Sequence, residues 1–220
     1  MASVRNQTRG DCSAIVVDQT GDCRTAASRF GAHYLFISRR GVGLARNMGL
    51  KVARGEFIAF LDVDDEWLPG KLEVQIDATK DASYTGVIWK DNGKPTRVIP
   101  ARPWDFKRWL KNRFIAMSSL VVRKSVLDDV GPFAEDLDGV EDMELIMRIH
   151  KKGYRLDAVP EPLTIVNRYP GSLSSSESYM MMQTFKAVTR QYCPIAYLRV
   201  FHPKTLQRVL EEKARSPSVG

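Results

Sequence analysis

The stretch Phe57-Ile58-Ala59-Phe60-Leu61-Asp62-Val63-Asp64-Asp65-Glu66-Trp67 constrains this chain more than any other. A short continuous apolar run is the pattern of a strand buried on both faces. Such a strand cannot hold ionised carboxylates in its middle, because an unpaired buried charge is very costly. The acids therefore belong where the strand leaves the sheet, and in open α/β sheets that end of a parallel strand is where ligands bind. If the chain stays extended there, Asp62 and Asp64 point one way and Asp65 the other. Two neighbouring carboxylates repel unless a cation lies between them. Oxygen-only ligands suit Mg²⁺ or Mn²⁺, and Mg²⁺ typically takes about one or two carboxylates plus substrate phosphates. The pattern thus points to a divalent metal holding a phosphorylated ligand at a strand end. The plainer reading is a solvated acidic turn without an ion.

The chain has 220 residues, enough for one substantial core. No apolar run reaches the ~18 residues of a transmembrane helix, and the start, Met1-Ala2-Ser3-Val4-Arg5, lacks the apolar centre of a secretory signal. Cys12, Cys23 and Cys193 have no close paired spacing. They read as reduced thiols of a cytoplasmic protein, not as a disulfide frame or zinc site. The net charge of +7 is spread along the sequence. It does not form the aromatic-basic motif of a nucleic-acid module, so no nucleic-acid partner is expected.

Ala14-Ile15-Val16-Val17 is a β-branched run that ends on Asp18, repeating the strand-then-acid pattern. Asp18 suits hydrogen bonds from a base or ribose, or else a turn or helix cap. Tyr34-Leu35-Phe36-Ile37 is a third strand. The glycine-rich stretch from Arg39 to Leu50 then enters a helix, with Leu44, Met48 and Val52 spaced as an inward stripe. A glycine-rich helix entry with Arg nearby suits a diphosphate. Strand, helix, strand is a βαβ unit and implies a parallel sheet.

Beyond the acids, Pro69 opens a helix through about Thr79, Thr85–Trp89 reads as a strand and Asn92-Gly93 as a turn. The segment from Trp104 to Asn112 is aromatic and basic: its rings either stack on a sugar or base, or simply pack. Ser118–Val122 reads as a strand, and Lys124–Val130 as a helix closed by Gly131-Pro132. The helix from Glu141 to Lys151 carries acids in its first turn and bases in its last. At 3.6 residues per turn, Asp142, Leu145, Ile146 and Ile149 share one face, and Glu141, Glu144, Arg148 and Lys151 the other. Asp142 then sits at the edge of the buried face, where desolvation raises its pKa and suits proton abstraction; dipole complementation is the alternative role. Short extended stretches at 155–159 and 163–167, separated by Pro160 and Pro162, precede a helix over 178–191. The tail from Ile195 to Lys213 is amphipathic, fit to pack on the domain or touch the anionic inner face of a membrane.

The order of these motifs resembles the family 2 glycosyltransferases. The matching segments are Ile15–Asp18, Gly43-Leu44-Ala45-Arg46-Asn47-Met48-Gly49, Phe57–Trp67 with Pro69 and Leu72, and Gly131-x-Phe133 through Glu141-Asp142 to Arg148 and Gly153. The resemblance implies the α/β GT-A fold, with a mostly parallel sheet flanked by helices over residues 1–175 and a helical extension over 176–220. It implies that Asp18, Arg46, Asn47, Asp62 and Asp64 bind a nucleotide-diphosphate sugar, most commonly of UDP. Asp62 and Asp64 would hold Mn²⁺ or Mg²⁺, with Asp64 the direct ligand. Asp142 would deprotonate the hydroxyl of a glycan or lipid-linked acceptor in an inverting single displacement. Three departures stand out. The family's opening strand, which lies mid-sheet, would precede residue 2. Gln19 stands where a second Asp is common, and Asn167-Arg168-Tyr169-Pro170 lacks a metal-binding His. A Gln-x-x-Arg-Trp motif of processive synthases is absent, so one sugar per encounter is expected. The alternative is a transferase-like domain that binds a partner or an anionic surface. A phosphatase reading of Asp62-Val63-Asp64 fits Glu66-Trp67 poorly.

Overall fold

The computed structural model describes residues 1–112, 114–137, 139–169, 183–184, 186–188 and 190–191. Strand β1 (Ile15–Asp18) runs through helix α2 (Arg24–Arg29) into the parallel strand β2 (His33–Phe36), a βαβ unit. The one expected instead, from Tyr34–Ile37 through the helix after Arg39 to Phe57–Leu61, does not form among the described residues, because those two strands lie in separate sheets and the second pairs antiparallel. Helix α3 (Val42–Val52) then leads into a second, six-stranded sheet. Its strands are β3 (Phe57–Ala59), β4 (Glu66–Trp67), β5 (Ala82–Asp91), β6 (Lys94–Ile99), β7 (Leu120–Arg123) and β8 (Leu156–Arg168). Their order is β3-β7-β5-β8-β4, with β6 also on β5. Around them lie α1 (Ala2–Arg5), α4 (Lys71–Gln75), α5 (Phe106–Asn112), α6 (Lys124–Val130) and α7 (Glu141–Lys151). Within the described residues β1 and β3, the two strands that precede the acid-bearing loops, are each hydrogen-bonded on one side only, in separate sheets.

The sheet is mixed. In the larger sheet only β5 and β8 run parallel. The Asn92-Gly93 turn, with φ of 50° and 79°, closes an antiparallel β5–β6 hairpin. Strand β7 enters antiparallel between β3 and β5. The two extended stretches expected around Pro160 and Pro162 are one strand. The missing amide donors are absorbed by register shifts at Thr85–Val87. Gly86 sits there because a Cβ would come within 2.7 Å of the Ile99 carbonyl oxygen.

Two helices also depart from expectation. Helix α4 is short: Gly70, at φ 81°, delays its start, and Asp77 ends the region by accepting from the amide and hydroxyl of Thr79. The Leu44–Met48–Val52 line on α3 is not the buried one, Val52 being 38% exposed. Gly43 and Asn47 face inward instead, because the helix packs on the backbone at residues 133–134.

The core lies between the six-stranded sheet and α7. Tyr84, Leu120, Val122, Leu145, Ile146, Met147 and Ile149 are buried there, each aliphatic side chain contributing about 1.5–3 kcal/mol. The described residues of the expected helical extension, between Gln183 and Gln191, are helical, and Ala187 and Val188 join this core. Met180–Met182, Cys193 and the amphipathic tail at 195–213 lie outside the described residues. Among the described residues no helix is long and apolar enough to cross a membrane.

Candidate active site

The acids after β3 form a turn, not a continued strand. The Asp65 amide donates to the Asp62 carbonyl at 3.0 Å, so the alternation expected of an extended Asp62–Asp65 does not hold. Three groups hold the turn. The buried Ser118 hydroxyl accepts from the Asp62 amide at 3.0 Å and donates to Asp65 Oδ2 at 2.6 Å. Asn167, at the end of β8, donates its amide to Asp65 Oδ1 and its Nδ2 to the Asp64 carbonyl. Asp65 thus faces inward while Asp64 is exposed. Burial pushes the Asp65 carboxyl up to about 7, against the hydrogen bonds from Ser118 and Asn167; the charges of Asp62 and Asp64 add to the rise.

Arg46 ties this turn to α7. Its Nη2 donates to Asp62 Oδ1 at 2.8 Å and its Nη1 to Glu141 Oε1 at 2.5 Å, while the guanidinium lies 5.5 Å from the Phe133 ring centre. Helix α3 reaches this position because Gly43 lets it close on residue 134, where a Cβ would come 2.8 Å from the Ala134 carbonyl oxygen. Burial alone would lower the Arg46 pKa, but Asp62, Glu141 and Asp142 raise it above the ordinary value. Glu141 is therefore not on an outward face. It is 3% exposed, and its Oε2 is buried with no partner among the described residues. Glu144 is 2% exposed, bound by Arg148. Acids placed outward by the helical projection are buried because Arg46 and Arg148 come in with them.

Asp142 is half-buried at the start of α7 and accepts from the Met143 amide. Its carboxyl is pushed up to about 6, by burial first and then by Glu141, with Arg46 opposing. A carboxylate that is still ionised at neutral pH but more basic than usual is what a proton acceptor needs.

Two of the expected nucleotide contacts are committed elsewhere. Asp18 accepts from the amides of Thr20, Gly21 and Cys23 and the hydroxyls of Thr20 and Tyr34. The backbone bonds from Thr20 and Cys23 hold its carboxyl well below the usual range. It shapes the loop after β1 and offers no free carboxylate edge to a base or ribose. Asn47 clamps the Phe133 backbone at both N–H and C=O and donates to Glu135, so its amide is a structural tie. Gln19 donates to the Arg39 and Gly41 carbonyls, binding the same loop to the entry of α3.

Residues 1–134 match the family profile described as Glycosyl transferase family 2. This chain belongs to that family. It is 30% identical over 158 residues to an Escherichia coli protein, the UDP-Glc:alpha-D-GlcNAc-diphosphoundecaprenol beta-1,3-glucosyltransferase WfgD; the match takes in 70% of this chain and 59% of that one. Among solved structures it resembles TarS 1-349 of S. aureus in complex with UDP-GlcNAc, with TM-score 0.64 and 18% identity, over 86% of this chain and 62% of that one. It also resembles the mannosyltransferase PcManGT of Pyrobaculum calidifontis, solved with GDP-Man and Mn²⁺, with TM-score 0.63 and 19% identity over 97% and 63%. The chain thus has the GT-A fold and spans about three-fifths of the length of these relatives.

The donor set suits a hard divalent ion only in part. Among the described residues no group of three His, Cys, Asp or Glu side chains converges. One Asp62 oxygen is held by Arg46, which leaves its other oxygen and the exposed Asp64 carboxylate. Two carboxylates completed by ligand phosphates is a normal Mg²⁺ arrangement. Sequence reasoning missed Ser118, Asn167 and Glu141. Glu141 alone carried a signal, as the acid directly before Asp142.

Proposed function

We propose that this chain is the donor-binding part of an inverting glycosyltransferase, moving one sugar from a nucleotide-diphosphate sugar to a hydroxyl of a glycan or lipid-linked precursor. The observation that carries the reading is the Arg46 bridge, which brings the acid turn and the Asp142 end of α7 to one place. UDP is the preferred nucleotide, in keeping with the UDP-Glc and UDP-GlcNAc named for two relatives. Asp62 and Asp64 would hold Mn²⁺ or Mg²⁺, which when bound offsets negative charge developing on the diphosphate. Arg46 adds a fixed positive charge beside Asp62. Asp142 accepts the proton of the acceptor hydroxyl. The freed oxygen attacks the anomeric carbon from the face opposite the diphosphate, whose bond breaks with its electron pair, and the configuration inverts. Work on the cytoplasmic face of a membrane, by peripheral contact, fits an acceptor carried on lipid.

The test is calorimetry of UDP, GDP and dTDP with Mn²⁺ or with EDTA, on the wild type and Asp64→Asn. Metal-dependent binding that is lost in the variant is expected. Binding that ignores both metal and variant would sink the reading.

A further inference from the structure

A cavity of about 570 Å³ opens at the other end of α7, lined by Pro103, Trp104, His150, Tyr154, Arg155 and Asp157 among others. Its size falls within the roughly 300–1,000 Å³ of small-molecule sites. Helix α7 spans eleven residues, about 16 Å, between Glu141 at the Arg46 bridge and this cavity. The cavity also lies at the amino end of β8, whereas the acid turn is gripped by Asn167 at its carboxyl end. It is therefore separate from the donor site.

Its chemistry is specific. One side is aromatic: Trp104 lies 5.6 Å from the His150 ring centre, and its indole N–H points to His150 Nδ1 at 3.4 Å, which fixes both rings. Burial lowers the His150 pKa, so this side is uncharged at neutral pH. The other side carries Asp157 and Arg155, paired at 3.0 Å. Asp157 Oδ2 is buried with no hydrogen-bond partner among the described residues. Oδ2 lies beneath the cavity wall, so a ligand meets this pair through the exposed part of the Asp157 side chain and through Arg155. The paired charges cancel, which disfavours a phosphate as much as a metal ion. What remains is a ligand with apolar C–H faces for the rings and hydroxyls for a carboxylate–guanidinium pair. The aromatic-basic segment at 104–112 divides accordingly: Trp109 is 1% exposed and packs, whereas Trp104 lines the cavity.

We propose that this cavity binds a neutral pyranose unit of a glycan, remote from the donor site. The site goes beyond the transfer reaction. It would hold a glycan chain by a unit other than the one that receives the sugar.

The test uses the full chain and a panel of neutral β-linked disaccharides: cellobiose, lactose and N,N′-diacetylchitobiose. Binding is followed by saturation-transfer NMR and tryptophan fluorescence, with and without UDP and Mn²⁺. Saturable binding of at least one disaccharide, unaffected by UDP and Mn²⁺, is expected. Asp157→Asn should weaken it about tenfold or more, as for hydrogen bonds to a charged group. Arg155→Ala removes a side chain that is 74% exposed and threatens no folding, and it should weaken binding too. Neither variant should change UDP affinity. No binding by the whole panel, displacement of the disaccharide by UDP, or indifference to both substitutions would overturn the proposal. If a disaccharide binds while UDP with Mn²⁺ does not, the donor reading fails and this one stands.

Discussion

Replacing Arg148 with Met should be among the most damaging single changes outside the acid turn. The guanidinium is 16% exposed and Glu144 3%. Nε bonds both Glu144 oxygens at 3.0 Å, and Nη2 bonds Oε2 at 2.8 Å. The remaining N–H groups reach the carbonyls of Val130, Gly131 and Pro132, closing the loop after α6 onto α7. Without Arg148, Glu144 stays buried with only the Gln191 amide as side-chain donor among the described residues. Leaving one member of a buried pair uncompensated costs about 3–5 kcal/mol. For a chain of this size that lowers Tm by about 6–20 °C, at ~2–4 °C per kcal/mol. Glu144→Leu should cost less, because Arg148 keeps three carbonyl acceptors. The double variant Arg148→Met/Glu144→Leu should recover much of the loss, since a well-packed apolar pair can replace a buried ion pair. Urea unfolding followed by circular dichroism and tryptophan fluorescence supplies the cycle, provided the two probes coincide. A loss below about 1 kcal/mol for Arg148→Met would place the pair with solvent-screened surface bridges. Additive single losses would show that the two side chains are not coupled. Either result refutes the argument.

The pH profile of transfer should carry an acid limb set by Asp142. Its carboxyl is raised to about 6, and only the deprotonated form accepts a proton. As pH falls through about 6, kcat/KM should drop, and Glu141→Gln should move the limb to lower pH by removing a like charge. A limb near the ordinary carboxylate value in the wild type would exclude Asp142 in this role. Ser118→Ala should weaken Mn²⁺ binding in the presence of UDP about 10–100-fold, the usual cost of losing a group that orients metal ligands. Mn²⁺ titration by electron paramagnetic resonance reads this directly, and an unchanged affinity in a folded variant would show that the turn holds without Ser118.

The strand cores and the helices α6 and α7 were legible in the sequence, because apolar runs and glycine stops act locally. The placement of α3's buried line was not. Leu44, Met48 and Val52 have the right period, but the helix turns Gly43 and Asn47 toward a loop some 86 residues away in sequence. A hydrophobic stripe cannot announce a backbone-to-backbone approach. The same limit explains Glu141 and Glu144: helical projection sorts residues by polarity, and a buried carboxylate is legible only with its arginine partner, here Arg46 or Arg148. Asp18 shows the converse. A strand followed by an acid reads as a ligand site, but five local donors claim the carboxylate. Gly43 and Gln75 illustrate how polar or small residues serve the interior: Gln75, fully buried, links α4 to the Ser83 and Ser119 carbonyls.

The interrupted strand β8 divides labour along its length. Residues before Pro160 form the edge of the rear cavity, and residues after Pro162 pair with Trp67 and grip the acid turn. The shifts of register opposite Gly86 act as an expansion joint between the two. A substitution that moves one end by a fraction of an ångström can be taken up at the joint before it reaches the other. Glycan preference at the rear could therefore diversify in evolution, or be redesigned, without disturbing the end that Asn167 holds in place.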